Sequence, residues 1–122
     1  MKSRDTLIRL KRFQVEEKLR RVRQIELMVG EFTRMIGDLD REIANEEKRA
    51  GISDPQHFAY PTYARAATSR RDNLNSSIAE LAIQIEEAKA AQEDAAAELL
   101  KYESLEGREK TAERGVEAAA RP

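Results

Sequence analysis

The chain has no cysteine, no tryptophan, a single histidine and only 5% aromatic residues. Without cysteine there is no disulfide and no thiolate metal site, as suits a reducing compartment. The one histidine, His57, has no second His or Cys to complete a ligand set, so no metal and no cofactor is expected. Scarce aromatics in 122 residues that are 37% charged argue against a deep globular core and for one domain at most. No apolar run approaches the roughly 18 to 20 residues a membrane span requires. Residues Met1 to Leu10 also lack a signal-peptide apolar region, so a soluble cytoplasmic chain without direct membrane insertion is expected.

An excess of one charge is missing too. The net charge is -1 and the pI near 6.0, whereas a dedicated DNA or RNA binder rests on a large positive surplus. The sequence contains no phosphate-binding glycine loop, nucleotide fingerprint, catalytic triad or HExxH. Its carboxylates are scattered rather than paired for acid and base work, so no enzymatic activity is expected.

What the sequence does contain is periodicity. β-branched residues recur every seventh position at Ile8, Val15, Val22, Val29, Ile36 and Ile43, with mostly charged residues between them. That is the seam of a long amphipathic helix in need of a partner helix. From Leu74 the apolar positions advance in steps of four and three through Ile78, Leu81, Ile85 and Ala88, then Ala95, Leu99 and Tyr102. One chain therefore supplies both stripes, and the expected fold is an all-α, antiparallel two-helix coiled-coil hairpin, monomeric on its own.

Helix one is expected over about residues 4 to 50. Ser3 caps its start, Asp5 sits in the first turn, Lys48 and Arg49 close the last turn, and Gly51 takes the left-handed terminating position. The loop spans 51 to 61, with Ser53 and Gln56 spaced like a capping box that opens a short helical turn. Tyr60, before Pro61, is held extended. Helix two is expected over about 62 to 115, and its last turns, containing Gly107 and Gly115 and ending in Ala118 to Pro122, are expected to fray.

Folding the hairpin at its loop places position i opposite about 112 minus i, as in any antiparallel pair of equal rise. Ile36 then meets Leu74 and Ile78, Val29 meets Leu81 and Ile85, and Val22 meets the alanines near Ala88. Residues 1 to 24 carry nine Lys/Arg against three Asp/Glu, and residues 80 to 106 carry eight Asp/Glu against two Lys. An antiparallel hairpin brings these segments side by side, whereas a parallel dimer would oppose like charges. Lys11 and Lys18, on the seam, are expected to lay their stems along Ala95 and Leu99 and to reach Glu98 or Glu93.

Two groups of residues are candidate binding sites. The basic run containing Arg4, Arg9 and Arg12 suits an acidic partner, or else is a solvated face neutralised by helix two. Phe58, Tyr60 and Tyr63 suit a protein interface, where aromatic anchors are enriched, or else seal the end of the hairpin. Gly30 and Gly37, seven apart, mark either close approach of another backbone or a bendable stretch. An RNA-binding hairpin using the basic face is a minor alternative, opposed by the acidic segment of helix two.

Two stretches carry a resemblance. Residues Leu7 to Lys18 (LIRLKRFQVEEK) resemble the start of the FliJ proteins, the stalk and chaperone-escort component of the bacterial flagellar type III export machine. Residues Gly51 to Tyr63 (GISDPQHFAYPTY), followed by Arg70 to Leu74 (RRDNL), resemble the loop of the alphaproteobacterial branch. Membership would imply a non-catalytic stalk in flagellum biogenesis and motility. It would engage the hexameric export ATPase ring and the cytoplasmic domain of the export gate, and assist recycling of export chaperones at the cytoplasmic face of the inner membrane. The alternative is a coiled-coil scaffold or dimerisation module unrelated to export.

Overall fold

A computed structural model describes the backbone of residues 2–120 and the side chains of 3–119. Two helices, α1 (Lys2–Ala50) and α2 (Thr62–Ala120), pack as a hairpin, and no strand occurs among the described residues. The helices divide into two compact units, one holding Met1–Val22 with Glu87–Pro122 and the other Arg23–Glu86.

Within the second unit the core is apolar. Leu39 and Ile43 of α1 pack on Tyr60, Ala64 and Ala67, with Ile52 and Leu74 against the cluster. Ala64 is 0% exposed, so the smallest side chain lets two large aliphatic ones close over α2. Ile25 is 1% exposed, and Leu81 is buried as well. Val29, Ile36, Ile78 and Ile85 are half-buried. The pairing runs antiparallel: Arg71 Nη1 donates to Asp40 at 3.1 Å and the Tyr63 hydroxyl donates to Glu42 at 2.8 Å.

The first unit is joined differently. Ile8 and Val22 are its buried aliphatics, while Val15, Leu99 and Tyr102 are half-buried and the facing α2 positions include Ala88 and Ala95. Across the pair run ion pairs from Arg4 to Glu109, from Lys11 to Glu98 at 2.8 Å and from Arg12 to Glu103 at 3.3 Å. The Lys11 ammonium also lies 5.5 Å from the Tyr102 ring centre, its stem along the seam as an amphipathic side chain allows.

Several local expectations need correction. Ser3 lies inside the first turn of α1, which already begins at Lys2, so it does not cap the helix. Lys18 is exposed while its neighbour Leu19 is half-buried, because after Lys11 the apolar row shifts by one residue before returning at Ile25. No helical turn forms at Ser53 to Gln56. Instead the Asp54 carboxylate accepts from the Gln56 backbone N–H at 2.9 Å, a side-chain turn that competes with helix. Helix α2 continues beyond Gly115 to Ala120, its alanines supporting helix where the glycine weakens it. Arg121 and Pro122, the last residues expected to fray, lie outside the described residues. At Gly30 a Cβ would meet nothing within 4 Å, and at Gly37 only the Arg41 side chain at 3.7 Å, so neither marks a close approach to α2.

Candidate functional site

The loop of the second unit is built by backbone hydrogen bonds. Gly51, at φ 73°, ends α1 by donating to the Glu47 carbonyl at 2.8 Å, and Ile52 donates to the same oxygen at 3.2 Å. This left-handed closure is the conformation glycine adopts without a side-chain clash. His57 N–H then donates to the Asp54 carbonyl and Tyr60 N–H to the His57 carbonyl, both at 3.1 Å. The Ala59 N–H donates to His57 Nδ1 at 3.0 Å, which leaves the imidazole proton on Nε2 in the neutral ring. Thus the backbone N–H groups of Gly51, Ile52, Gln56, His57, Ala59 and Tyr60 are all hydrogen-bonded within the loop or to the end of α1.

That framework separates the three aromatics. Phe58 is 95% exposed and stacks on His57 with ring centres 4.8 Å apart. Tyr60 points inward, buried in the core cluster, and its hydroxyl donates to Glu47 at 3.0 Å. Burial and that bond together push the Tyr60 phenol above its ordinary pKa. Tyr63 is half outside, and its bond to Glu42 raises its pKa in the same sense. Phe58 alone of the three is almost wholly exposed, with its ring stacked only on His57, so the tip carries a single aromatic knob on a hydrogen-bonded loop.

In the first unit the three arginines also separate. Arg4 is tied to Glu109, a bond that holds the Glu109 carboxyl below its ordinary range and raises Arg4. Arg12 is tied to Glu103. Arg9 is exposed and has no ion-pair partner among the described residues. Beside it Leu10 and Phe13 stand roughly half exposed, and sequence reasoning overlooked both because they fall outside the seam period. Their signal was available: a bulky apolar residue at an off-seam position of an amphipathic helix. Arg9, Leu10 and Phe13 make one mixed basic and apolar patch on α1 of this unit.

Among the described residues no group of three or more His, Cys, Asp or Glu is placed to hold a metal ion. None of their helices is long and apolar enough to cross a membrane. No family model, curated protein or solved structure matches the chain.

Proposed function

We propose that the chain is a non-catalytic stalk and adaptor of the bacterial flagellar type III export apparatus. In this reading the patch of Arg9, Leu10 and Phe13 engages the hexameric export ATPase, with Arg4 and Arg12 at its margin. The loop, through Phe58, engages the cytoplasmic domain of the export gate or a cargo-free export chaperone. Such contacts would hold the protein peripherally at the cytoplasmic face of the inner membrane. The observation that carries the proposal is the hydrogen-bonded loop with a 95% exposed Phe58, in a segment whose residues resemble the FliJ loop. A preorganised aromatic loses little entropy on docking, which is what an anchor needs.

The test uses purified partners. Arg9→Glu with Arg12→Glu should weaken binding to the flagellar export ATPase by at least about tenfold at low salt, where a Coulomb contribution is least screened. Arg9→Glu alone should weaken binding in the same direction with helicity unchanged, since Arg9 has no ion pair among the described residues, whereas Arg12→Glu also removes the pair to Glu103. Phe58→Ala should leave ATPase binding intact and abolish binding to the gate domain or chaperone. Wild-type protein that binds neither the ATPase nor the gate would overturn the export reading.

A further inference from the structure

The only imidazole in 122 residues sits at the tip of the loop, next to the most exposed aromatic side chain among the described residues. Imidazole is the side chain whose charge ordinarily changes between about pH 5 and 8, while carboxylates, guanidinium and ammonium groups and phenols ordinarily keep theirs. The tip therefore carries the one side-chain type in the chain suited to sense such a change.

His57 is held at three points. Its N–H donates to the Asp54 carbonyl and its carbonyl accepts from the Tyr60 N–H, both at 3.1 Å, and its ring Nδ1 accepts from the Ala59 N–H at 3.0 Å. The ring bond thus reaches across Phe58 and ties the residue before it to the residue after it. The same ring is the surface on which Phe58 stacks, with centres 4.8 Å apart and planes 21° from parallel. One imidazole fixes both the backbone around Phe58 and one face of its ring.

Only the neutral ring can do this. An imidazolium carries a proton on each nitrogen and accepts nothing, so protonation would set two N–H donors against each other across 3.0 Å. The Ala59 bond must then break. The charged groups of the loop and of the helix ends that frame it are engaged elsewhere: Asp54 accepts from the Gln56 N–H, Glu47 accepts from the Tyr60 hydroxyl, Glu46 is paired with Arg49, and Arg65 lies over the Tyr60 ring at 5.5 Å. His57 itself is exposed and forms no ion pair among the described residues. The hairpin core is spared, because Tyr60 is buried in the apolar cluster with Leu39 and Ile43.

We propose that His57 is a proton-operated catch on the tip. Neutral, it holds Phe58 in its presented position; protonated, it releases Ala59, and Phe58 loses that position. Weaker docking through Phe58 at about pH 5 than at about pH 8 follows, a consequence that rests on the reading of Phe58 as the anchor, whereas the catch itself does not.

Two variants separate the proton from the hydrogen bond. In His57→Asn the side-chain carbonyl accepts from the N–H two residues on, as in an Asx turn, and does not titrate. In His57→Leu no acceptor remains. Nuclear magnetic resonance of the full chain at about pH 8 should find the wild-type ring proton on Nε2 and an Ala59 amide that exchanges with water as slowly as in His57→Asn. At about pH 5, after correction for intrinsic rates, wild-type Ala59 should exchange about threefold to tenfold faster than in His57→Asn, with the midpoint of the ring titration. His57→Leu should exchange fast at both. A ring proton on Nδ1 at about pH 8, an Ala59 amide that ignores the ring titration, or a His57→Asn chain that responds to pH as wild type does would each overturn the catch. Binding to the gate domain or chaperone should fall at least about threefold more for wild type than for His57→Asn between about pH 8 and pH 5, and equal losses would overturn its link to docking. Partner binding absent at every pH, with the Ala59 response intact, would overturn the export reading and leave the catch standing.

Discussion

The two units use the same pair of helices and hold them together by different physics. In Arg23–Glu86 large aliphatic side chains close over Ala64 and Ala67, and the polar bonds there, such as Tyr60 to Glu47, sit at the edge of an apolar cluster. In Met1–Val22 with Glu87–Pro122 the buried aliphatics are Ile8 and Val22, and Arg4, Lys11 and Arg12 reach across to carboxylates instead. Apolar burial carries no charge to screen or titrate, whereas partly exposed ion pairs gain little in water and are screened. The ion-paired unit is therefore expected to respond to salt and acid more than the apolar one.

The largest effect should come from Ile43→Asp. It places an unpaired carboxylate in the cluster of Leu39, Tyr60, Ala64 and Ala67, at a cost of about 3 kcal/mol or more. Hydrogen exchange should rise throughout Arg23–Glu86. If thermal melting and exchange hardly change, the apolar account of this unit is wrong.

Next in size is the response to acid, which should separate the units. The carboxyls of Glu109 and Glu106 are held below their ordinary range by hydrogen bonds from Arg4 and Lys110. A depressed folded-state pKa contributes stability that is present above the unfolded value and disappears as pH falls through the folded one. Exchange in α2 near Glu106 and Glu109 should thus accelerate below the ordinary carboxylate range, after correction for intrinsic rates. Exchange around Ala64 and Ala67 should not follow.

Alkali gives the converse for the other unit. Tyr60 and Tyr63 are raised above their ordinary pKa, so their contribution is complete below the unfolded value and is lost as pH rises through the folded one. Tyr60→Phe should remove the bond to Glu47, lower the melting temperature by about 2–5 °C at neutral pH and abolish much of the alkaline loss. An unchanged alkaline profile would assign that loss to other groups, Lys11 included.

The smallest effect concerns salt. Lys11→Met keeps the stem beside Tyr102 and deletes the charge facing Glu98, so its difference from wild type should shrink toward zero in about 1 M salt. Ile43→Ala, which adds no charge, should cost the same at both salt concentrations.

Much of the fold was legible in advance, and the reason is the strength of a seven-residue repeat. A charge-flanked β-branched residue at every seventh position leaves a helix one face to bury, and the four-and-three steps from Leu74 offer a second face of the same kind. Less legible was the inner lining next to the loop. Ala64 and Ala67 are deeply buried, yet an alanine carries no hydrophobic signal strong enough to distinguish it from the exposed Ala66 between them. Ile25 and Leu39 sit on the intervening seam positions, which the β-branched repeat passed over.

The candidate sites divide along the same line. That a basic run lies near the start of α1 and aromatics cluster in the loop is written in residue order. Which of them face outward was decided by partners distant in sequence: Glu109 and Glu103 take up Arg4 and Arg12 and leave Arg9, while Glu47 draws Tyr60 inward and the Asp54 turn leaves Phe58 out. Helix period, charge balance and the stop at Gly51 are local properties, set by side-chain sterics and spacing, so the chain alone determined them. Exposure of an individual arginine or tyrosine depends on which carboxylate stands across the helix pair, and only the tertiary packing brings those groups within hydrogen-bonding reach.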